Sequence, residues 1–87
     1  MWVLNCGGYF PCGVFDSKEA AEKAIEKYGL TGTLTQYPIN MLVYDWAFEN
    51  GYLNRNKSEE TPEFVGKYTT AYQDHYHYDG QVRGRNR

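Results

Sequence analysis

The apolar positions alternate at the start of the chain and then take a helical spacing. In residues 2–6 every second side chain, Trp2, Leu4 and Cys6, falls on one face of an extended chain, which predicts a strand. The run GGYFPCG interrupts this pattern before a short second strand at residues 14–15. The two segments therefore predict a β-hairpin whose loop contains about five to eight residues.

The strongest helical pattern lies in residues 17–28. Apolar side chains recur there at i, i+4 and i+8, while charged side chains fill the opposite face. The apolar stripe consists of Ala20, Ala21, Ala24, Ile25 and Tyr28. Asp16 is in position to cap the helix, with Glu19 bonding back to the Asp16 amide. Gly29 suits the left-handed residue after the helix, and Leu30 is then expected to fold back on Ile25.

The middle of the chain combines a third strand with an ambiguous segment. Residues 31–37 alternate and are rich in Thr, so they predict a strand that ends before Pro38. Residues 39–48 fit both a strand and a short helix capped by Asn40. The helix is favoured.

The chain after residue 53 begins as a polar loop. Residues 54–62 contain no apolar side chain that could anchor them, and they predict a mobile loop. Thr61 is a suitable cap, and Pro62 a suitable first residue, for a helical turn that stops by Gly66.

Residues 68–78 are rich in Tyr and Thr and predict a final strand, although the spacing of their Tyr residues also fits a helix. As a strand, the segment places the Tyr rings on the core side and His75 and His77 toward solvent. Together the elements predict an α+β fold in the order β-β-α-β-(α)-β. One principal amphipathic helix is expected to pack on a small, mostly antiparallel sheet.

The chain of 87 residues has the size of one domain, which we place at residues 1–80, followed by a flexible Arg-rich tail at residues 81–87. The net charge is −2, and the cationic cluster of Arg83, Arg85 and Arg87 lies in this tail, so no nucleic-acid partner is expected. No stretch resembles a signal peptide or approaches the roughly 20 apolar residues of a membrane span. We therefore expect a cytoplasmic protein that does not bind membranes and keeps its cysteines reduced.

A mixed metal site of Cys6, Cys12, His75 and His77 is the first candidate for chemistry. The two imidazoles share one strand face and lie about 6.6 Å apart along it, which is close enough for one Zn²⁺. Structural zinc motifs place cysteines two to four residues apart, whereas five residues separate Cys6 from Cys12. We therefore predict neither a metal nor another cofactor.

A disulfide is the second possibility for the two cysteines. It would close a loop of seven residues and gain about 2.4 kcal/mol of stability. A reducing cytosol opposes this bond, so two small, half-buried free thiols are preferred.

A catalytic arrangement of Cys12, His75 and Asp74 is not favoured. Neighbours in a strand point to opposite faces, so Asp74 is not placed to orient His75. So small a core also leaves little room for a deep pocket. We predict that the protein is not an enzyme.

Aromatic side chains make up 17% of the chain. The simplest interpretation is that the rings replace aliphatic side chains in the core. Gly7-Gly8 lacks the rest of a phosphate-binding motif, yet exposed rings can stack a nucleotide without one. The rings that could do so are Tyr9, Phe10, Tyr37, Tyr44 and Trp46. The alternative function is therefore a small-molecule (nucleotide) binding or sequestering module. Such a module is expected to oligomerise, because one protomer offers only a shallow groove.

Several short stretches carry a resemblance to a known family. They are W-V-x-N-x-G-G-x-F-P-x-G-V-F at residues 2–15, L-T-G-x-L-T-x-Y-P at 30–38, Y-D-W-A at 44–47, P-E-F at 62–64 and H-Y-H-Y at 75–78. On these stretches the chain resembles an uncharacterised family of small, mainly bacterial domains over residues 2–79. The resemblance implies that relatives need not have cysteine at the positions of Cys6 and Cys12, which counts further against a Cys/His metal site. The resemblance also implies, by analogy of size with accessory and immunity proteins of bacteria and phages, a protein that binds and blocks a larger partner.

The leading hypothesis is a non-enzymatic binding protein of the immunity or inhibitor type, with a larger protein as its partner. Aromatic and acidic side chains around the hairpin loop and residues 44–48 are expected to form the binding surface, because exposed rings are strong anchors. The residues concerned are Tyr9, Phe10, Tyr37, Tyr44, Asp45 and Trp46. The protein itself is expected to be a monomer or a small homo-oligomer.

Overall fold

The chain forms strands and short helices in the computed structural model, which describes residues 1–55, 58 and 60–82. Within these ranges the elements are β1 (Trp2–Asn5), β2 (Gly13–Phe15), α1 (Lys18–Tyr28), β3 (Thr31–Gln36), α2 (Val43–Glu49), α3 (Pro62–Lys67) and β4 (His75–Asp79). The predicted α+β class is confirmed. Most of the predicted tail, residues 83–87, lies outside the described residues, as do residues 56, 57 and 59 of the predicted mobile loop.

The described residues form two compact units. The first contains Met1–Tyr37 and the described residues from Gln73 onward, and the second contains Pro38–Tyr72. Strands β1 to β4 and helix α1 belong to the first unit, whereas α2 and α3 belong to the second. Over the described ranges, no helix has the length and apolar character needed to cross a membrane.

The sheet of the first unit is antiparallel and has the strand order β2-β1-β3-β4. Its registers place Leu4 opposite Leu34, and Leu34 opposite Tyr76, on one face. Helix α1 packs on this face through Ala21 and Ile25, which are fully buried. Burying a Leu or Ile side chain contributes about 1.5–3 kcal/mol relative to leaving it exposed. These contacts therefore hold the helix against the sheet.

The cap of α1 is one residue later than the sequence predicted. Ser17 has the extended backbone of a cap residue, and its Oγ accepts a 3.1 Å hydrogen bond from the Ala20 N–H. The predicted cap at Asp16 is therefore wrong. A serine hydroxyl and an aspartate carboxylate are equally good caps, so their adjacent positions made the choice ambiguous.

The end of α1 follows the prediction, except at Tyr28. Gly29 has a left-handed φ of 63°, and the Leu30 N–H donates a 3.0 Å hydrogen bond to the Ile25 carbonyl. Tyr28 was expected in the core but is 68% exposed. It is the last helical residue, and Leu30 packs against the core in its place.

Strand β4 is shorter than the strand predicted over residues 68–78. Its partner β3 ends at Gln36, whose N–H donates a 2.9 Å hydrogen bond to the Asp74 carbonyl. Beyond that bond β3 has no further residues to pair with, so the strand prediction for residues 68–74 is wrong. Within β4, Tyr78 is buried while His75 and His77 are exposed. The predicted inward rings and outward imidazoles are confirmed there.

The second unit confirms the helical alternative for the ambiguous segment, because α2 spans Val43–Glu49. The predicted cap at Asn40 is wrong. Leu42 occupies the cap position without a side-chain hydrogen bond, whereas Asn40 has a left-handed φ of 58°. A cap residue has an extended backbone, so the helix starts only after Leu42.

Helix α3 begins as predicted. Pro62 is the first helical residue, and the Thr61 Oγ1 accepts a 3.1 Å hydrogen bond from the Phe64 N–H. The helix ends at Lys67, one residue beyond the predicted stop at Gly66.

Candidate functional site

The hairpin loop, which we define as residues 6–12, has fixed ends in the first unit. The β1–β2 ladder runs as far as the pair of Leu4 and Gly13, and the Cys12 N–H donates a 2.8 Å hydrogen bond to the Leu4 carbonyl. Gly7 has φ 95°, which glycine adopts readily, and its N–H donates a 2.8 Å hydrogen bond to Asn5 Oδ1. The loop therefore leaves the sheet at a defined turn, and the predicted hairpin is confirmed.

Two adjacent aromatic rings project from this loop. Tyr9 is fully exposed at 100%, and Phe10 is 81% exposed. No residue of the loop carries a charged side chain at neutral pH. Rings exposed to this extent bury almost no area in the fold, so the core-packing interpretation does not apply to this pair. They are free to contact another molecule.

The two cysteines are the end residues of the same loop, and both are free thiols. Cys6 is half-buried against the core of the first unit, whereas Cys12 is exposed. The Cys12 thiol donates a hydrogen bond to Cys6 Sγ, with the two sulfur atoms 3.5 Å apart. Burial, together with this neighbouring thiol, raises the pKa of Cys6 and favours its protonated form.

The two histidines lie on the sheet face that α1 does not cover. His77 Nδ1 is 3.2 Å from Thr33 Oγ1, and His75 Nδ1 is 2.8 Å from the Gln73 carbonyl oxygen. The rings themselves meet edge to face with centroids 5.3 Å apart. Cys6 packs on the opposite, core side of the sheet, so the four candidate ligands are not brought together. Within the described ranges, no group of three or more metal-ligating side chains is placed to hold an ion.

The candidate catalytic residues Cys12 and His75 have different hydrogen-bond partners. Cys12 interacts with Cys6 Sγ and the Leu4 carbonyl, and the described hydrogen bond of His75 goes to a backbone carbonyl. Among the described contacts, none joins Cys12 to His75. That the protein is not an enzyme stays a prediction.

Tyr37 ends the first segment of the first unit. Its N–H donates a 2.7 Å hydrogen bond to the Met1 carbonyl, and its own carbonyl accepts one from the amino terminus at 3.0 Å. The backbone is thus held in place, while the residue remains 37% exposed. Tyr37 is available as a minor contact.

In the second unit, the side chain of Tyr44 is buried and is not exposed to a ligand. Its hydroxyl donates a 2.7 Å hydrogen bond to Glu60 Oε2. The rings of Phe64 and Tyr68 pack edge to face with it, at centroid distances of 6.1 and 5.7 Å. The hydrogen bond to Glu60, with burial, raises the pKa of Tyr44 to about 12. This side chain holds α2, α3 and Glu60 together and leaves little surface for a ligand.

Arg55 provides a positive charge beside two acidic side chains of the second unit. It is paired with Asp45, and its Nε lies 3.8 Å from Glu60 Oε2. Its guanidinium also lies 4.3 Å from the centroid of the Phe48 ring, which favours a cation–π contact. Within the predicted mobile loop, Arg55 is therefore held by contacts of its charge, which the lack of apolar side chains in that loop did not reveal.

Trp46 leads into a stack of rings that the sequence did not predict. Its ring lies 5.6 Å from that of Tyr52, which stacks face to face on Tyr72 at 4.2 Å with an angle of 3°. Tyr52 is 45% and Tyr72 65% exposed. Gly51 marks this turn in the sequence, since glycine often follows the end of a helix. After it, the Tyr52 N–H donates a 2.8 Å hydrogen bond to the Ala47 carbonyl.

An open concavity of about 460 Å³ lies beside α3 in the second unit. Phe64 and Tyr68 provide its apolar lining, and Glu63 and Lys67 provide one charge of each sign. Its size is within the range of small-ligand sites.

The six predicted contact residues thus fall into two groups. Tyr9, Phe10 and Tyr37 belong to the first unit, and the other three belong to α2 of the second. Only Tyr9 and Phe10 combine adjacency with nearly complete exposure. Their part in binding stays a prediction.

Comparison with known proteins identifies the family of the chain. Residues 1–84 match the model of the family described as "Domain of unknown function (DUF7710)", and the chain belongs to this family. The resemblance to an uncharacterised family is thereby confirmed. No match was found among curated proteins or among solved structures.

Proposed function

We propose that this member of the DUF7710 family is a non-enzymatic binding protein that captures a larger protein partner, in the manner of an immunity or inhibitor protein. The observation that carries the proposal is the exposure of Tyr9 and Phe10, at 100% and 81%, on a loop with fixed ends. Tyr is among the residues that most often dominate the energy of a protein interface, and Phe is enriched in interface cores.

The form of the hairpin loop favours a protein over a small molecule. Small ligands are bound in concave sites, where protein groups surround them. Tyr9 and Phe10 instead project away from their own unit, so the partner has to provide the concavity. A protein with a pocket for two rings meets this requirement, and a free nucleotide does not.

The chemistry of the loop specifies the partner further. Because the loop has no charged side chain at neutral pH, an apolar pocket can bury it without leaving a charge unpaired. The Tyr9 hydroxyl requires a hydrogen-bond acceptor in that pocket, since a buried hydroxyl without a partner is costly. We therefore expect an apolar cleft with one acceptor at its wall.

The test begins with the immobilised chain, which is used to capture binding proteins from an extract of the host that encodes it. A parallel capture uses the double variant Tyr9→Ala/Phe10→Ala, and a matched control uses Tyr28→Ala. Tyr28 is also exposed and aromatic, but it lies on α1. A partner identified by mass spectrometry should be retained by the wild type and the control and lost with the double variant. Equal retention on all three would remove the hairpin loop from the account.

A small-molecule site is the second candidate function, and the concavity beside α3 favours it. Phe64 and Tyr68 would hold an apolar or aromatic ligand there, with Lys67 available for an anionic group. Calorimetry of the purified chain against nucleoside mono-, di- and triphosphates tests this candidate. Heat that is lost with Phe64→Ala supports it, and the absence of heat with every nucleotide rejects a nucleotide ligand.

A further inference from the structure

The two thiols at the ends of the hairpin loop are close enough to react with each other. Their sulfur atoms lie 3.5 Å apart, whereas a disulfide requires about 2.05 Å. The sulfur atoms thus need to approach by about 1.5 Å for the bond to form. The neighbouring backbone is already held by the bond from the Cys12 N–H to the Leu4 carbonyl.

Pairing within the chain has one possible outcome. The sequence contains two cysteines, so an internal disulfide can only join Cys6 to Cys12. It would close a ring of seven residues that includes Tyr9 and Phe10.

We propose that Cys6 and Cys12 form a reversible disulfide, and that this modification reduces the number of conformations that the hairpin loop can adopt. The oxidant is a low-molecular-weight disulfide such as oxidised glutathione. Two protein thiols and one external disulfide give one protein disulfide and two external thiols. The protein sulfurs lose two electrons, which the external sulfurs gain together with the two protons.

The exposure of the thiols sets the order of the two steps. Cys12 is exposed and, as thiolate, attacks one sulfur of the external disulfide, so that a mixed disulfide forms and one external thiol leaves. Cys6 is half-buried and lies beside Cys12, so it then attacks Cys12 Sγ and releases the second external thiol. The raised pKa of Cys6 agrees with this order, because it keeps Cys6 protonated before the first step.

The disulfide would restrict the part of the chain that the proposed function uses. Beyond the turn at Gly7, Gly8 gives the reduced loop backbone freedom, and ring closure removes part of it. If the loop captures a partner as proposed above, oxidation should tighten binding by up to about tenfold, because less ordering then remains to be done on association. This last consequence rests on the proposed function, whereas the disulfide does not.

The direct test follows the sulfur atoms by mass and needs no partner. The full chain is equilibrated in glutathione buffers of increasing oxidised fraction, free thiols are blocked with iodoacetamide, and the chain is cut with trypsin. Both cysteines lie in the peptide of residues 1–18, since Lys18 is the first basic residue. We expect this peptide to lose two hydrogen atoms and take up no blocking group as the oxidised fraction rises, and to regain both thiols on reduction.

Three results would overturn the proposal: two blocked thiols in excess oxidised glutathione, stable glutathione adducts on both cysteines, or peptides joined between two chains. The order of attack is tested with single variants. Cys6→Ser should accumulate a glutathione adduct on Cys12, and Cys12→Ser should form its adduct on Cys6 at least about tenfold more slowly. Equal or reversed rates would contradict the assignment of Cys12 as the first thiol. Because the readout is mass, it stands or fails independently of partner capture.

Discussion

The Tyr78 hydroxyl donates a 2.7 Å hydrogen bond to Glu22 Oε2, which joins the last strand to α1 across 56 residues of sequence. Lys18 lies 3.7 Å from the same carboxylate oxygen and 4.0 Å from the centroid of the Tyr76 ring. Burial and the nearby carboxylate raise the pKa of Tyr78, so its hydroxyl stays protonated and remains a donor. This bond therefore links α1 to β4 in addition to the core contacts of Ala21 and Ile25.

Removing the hydroxyl should weaken the first unit. Tyr78→Phe keeps the buried ring but leaves Glu22 without this donor, so we expect the free energy of unfolding to fall by about 1–2 kcal/mol. Urea denaturation followed by circular dichroism measures the change. Tyr28→Phe is the matched control, because Tyr28 is exposed, and its effect should stay within about 0.5 kcal/mol. Equal effects of the two variants would show that the bond to Glu22 does not contribute.

The bond from Tyr44 to Glu60 predicts a dependence of stability on alkaline pH. The pKa of Tyr44 is raised to about 12, above the ordinary tyrosine value of about 10. The unfolded chain therefore loses this proton first, and the stabilising effect is complete below pH 10 and declines as pH rises to about 12. Urea denaturation of the wild type and Tyr44→Phe should show a difference in stability that shrinks over this interval.

Glu60→Gln serves as the control for that interval. It removes the negative charge while keeping an acceptor, so the pKa of Tyr44 should return toward the ordinary value. Absorbance titration near 295 nm, read as the difference between Glu60→Gln and the wild type, follows it. A stability difference between wild type and Tyr44→Phe that stays constant from pH 9 to 12 would contradict the assignment.

The cap of α1 can be tested at two adjacent positions. Ser17→Ala removes the acceptor of the Ala20 N–H and should lower the free energy of unfolding by about 1 kcal/mol. Asp16→Ala should change it by less than about 0.5 kcal/mol. Thermal or urea denaturation compares them, and a larger loss with Asp16→Ala would restore the assignment made from the sequence alone.

Gly32 is required by close packing of the backbone rather than by an unusual turn. It lies in β3, where a Cβ atom would overlap the Asn5 carbonyl oxygen and lie 2.8 Å from Cys6 Cα. Because these are backbone atoms of Asn5, the last residue of β1, and of Cys6, which follows it, rotation of a side chain cannot relieve the overlap. Gly32→Ala should therefore destabilise the fold by about 1–3 kcal/mol or more in urea denaturation. Gly8→Ala is the control, since its nearest contact is an ordinary 3.7 Å, and a comparable loss there would contradict this account.

Several features set by neighbouring residues could be predicted from the sequence, although the caps of α1 and α2 were placed at the wrong residues, Asp16 and Asn40. The end of α1 at Gly29, the start of α3 at Thr61 and Pro62, and the hairpin loop all depend on a few consecutive residues. Their geometry is therefore encoded in local patterns of capping and turn residues.

Other features depend on partners far along the chain. The length of β4 is set by where β3 ends, and the pattern of residues 68–78 contains no information on that. The burial of Tyr44 depends on Glu60 and on rings of α3, which no spacing rule connects to α2. For the candidate site, the sequence identified Tyr9 and Phe10 as loop residues. The 3.5 Å distance between the thiols at the ends of the loop depends on the register of β1 and β2, which the sequence did not show.

Partner capture by Tyr9 and Phe10 is the central claim, and a titration of the purified partner tests it most directly. Calorimetry should give a Kd at least about 100-fold weaker for Tyr9→Ala/Phe10→Ala than for the wild type, because truncating two anchor rings removes the main contacts. Tyr28→Ala should match the wild type, and circular dichroism should show all three folded. An unchanged Kd for the folded double variant would contradict the claim.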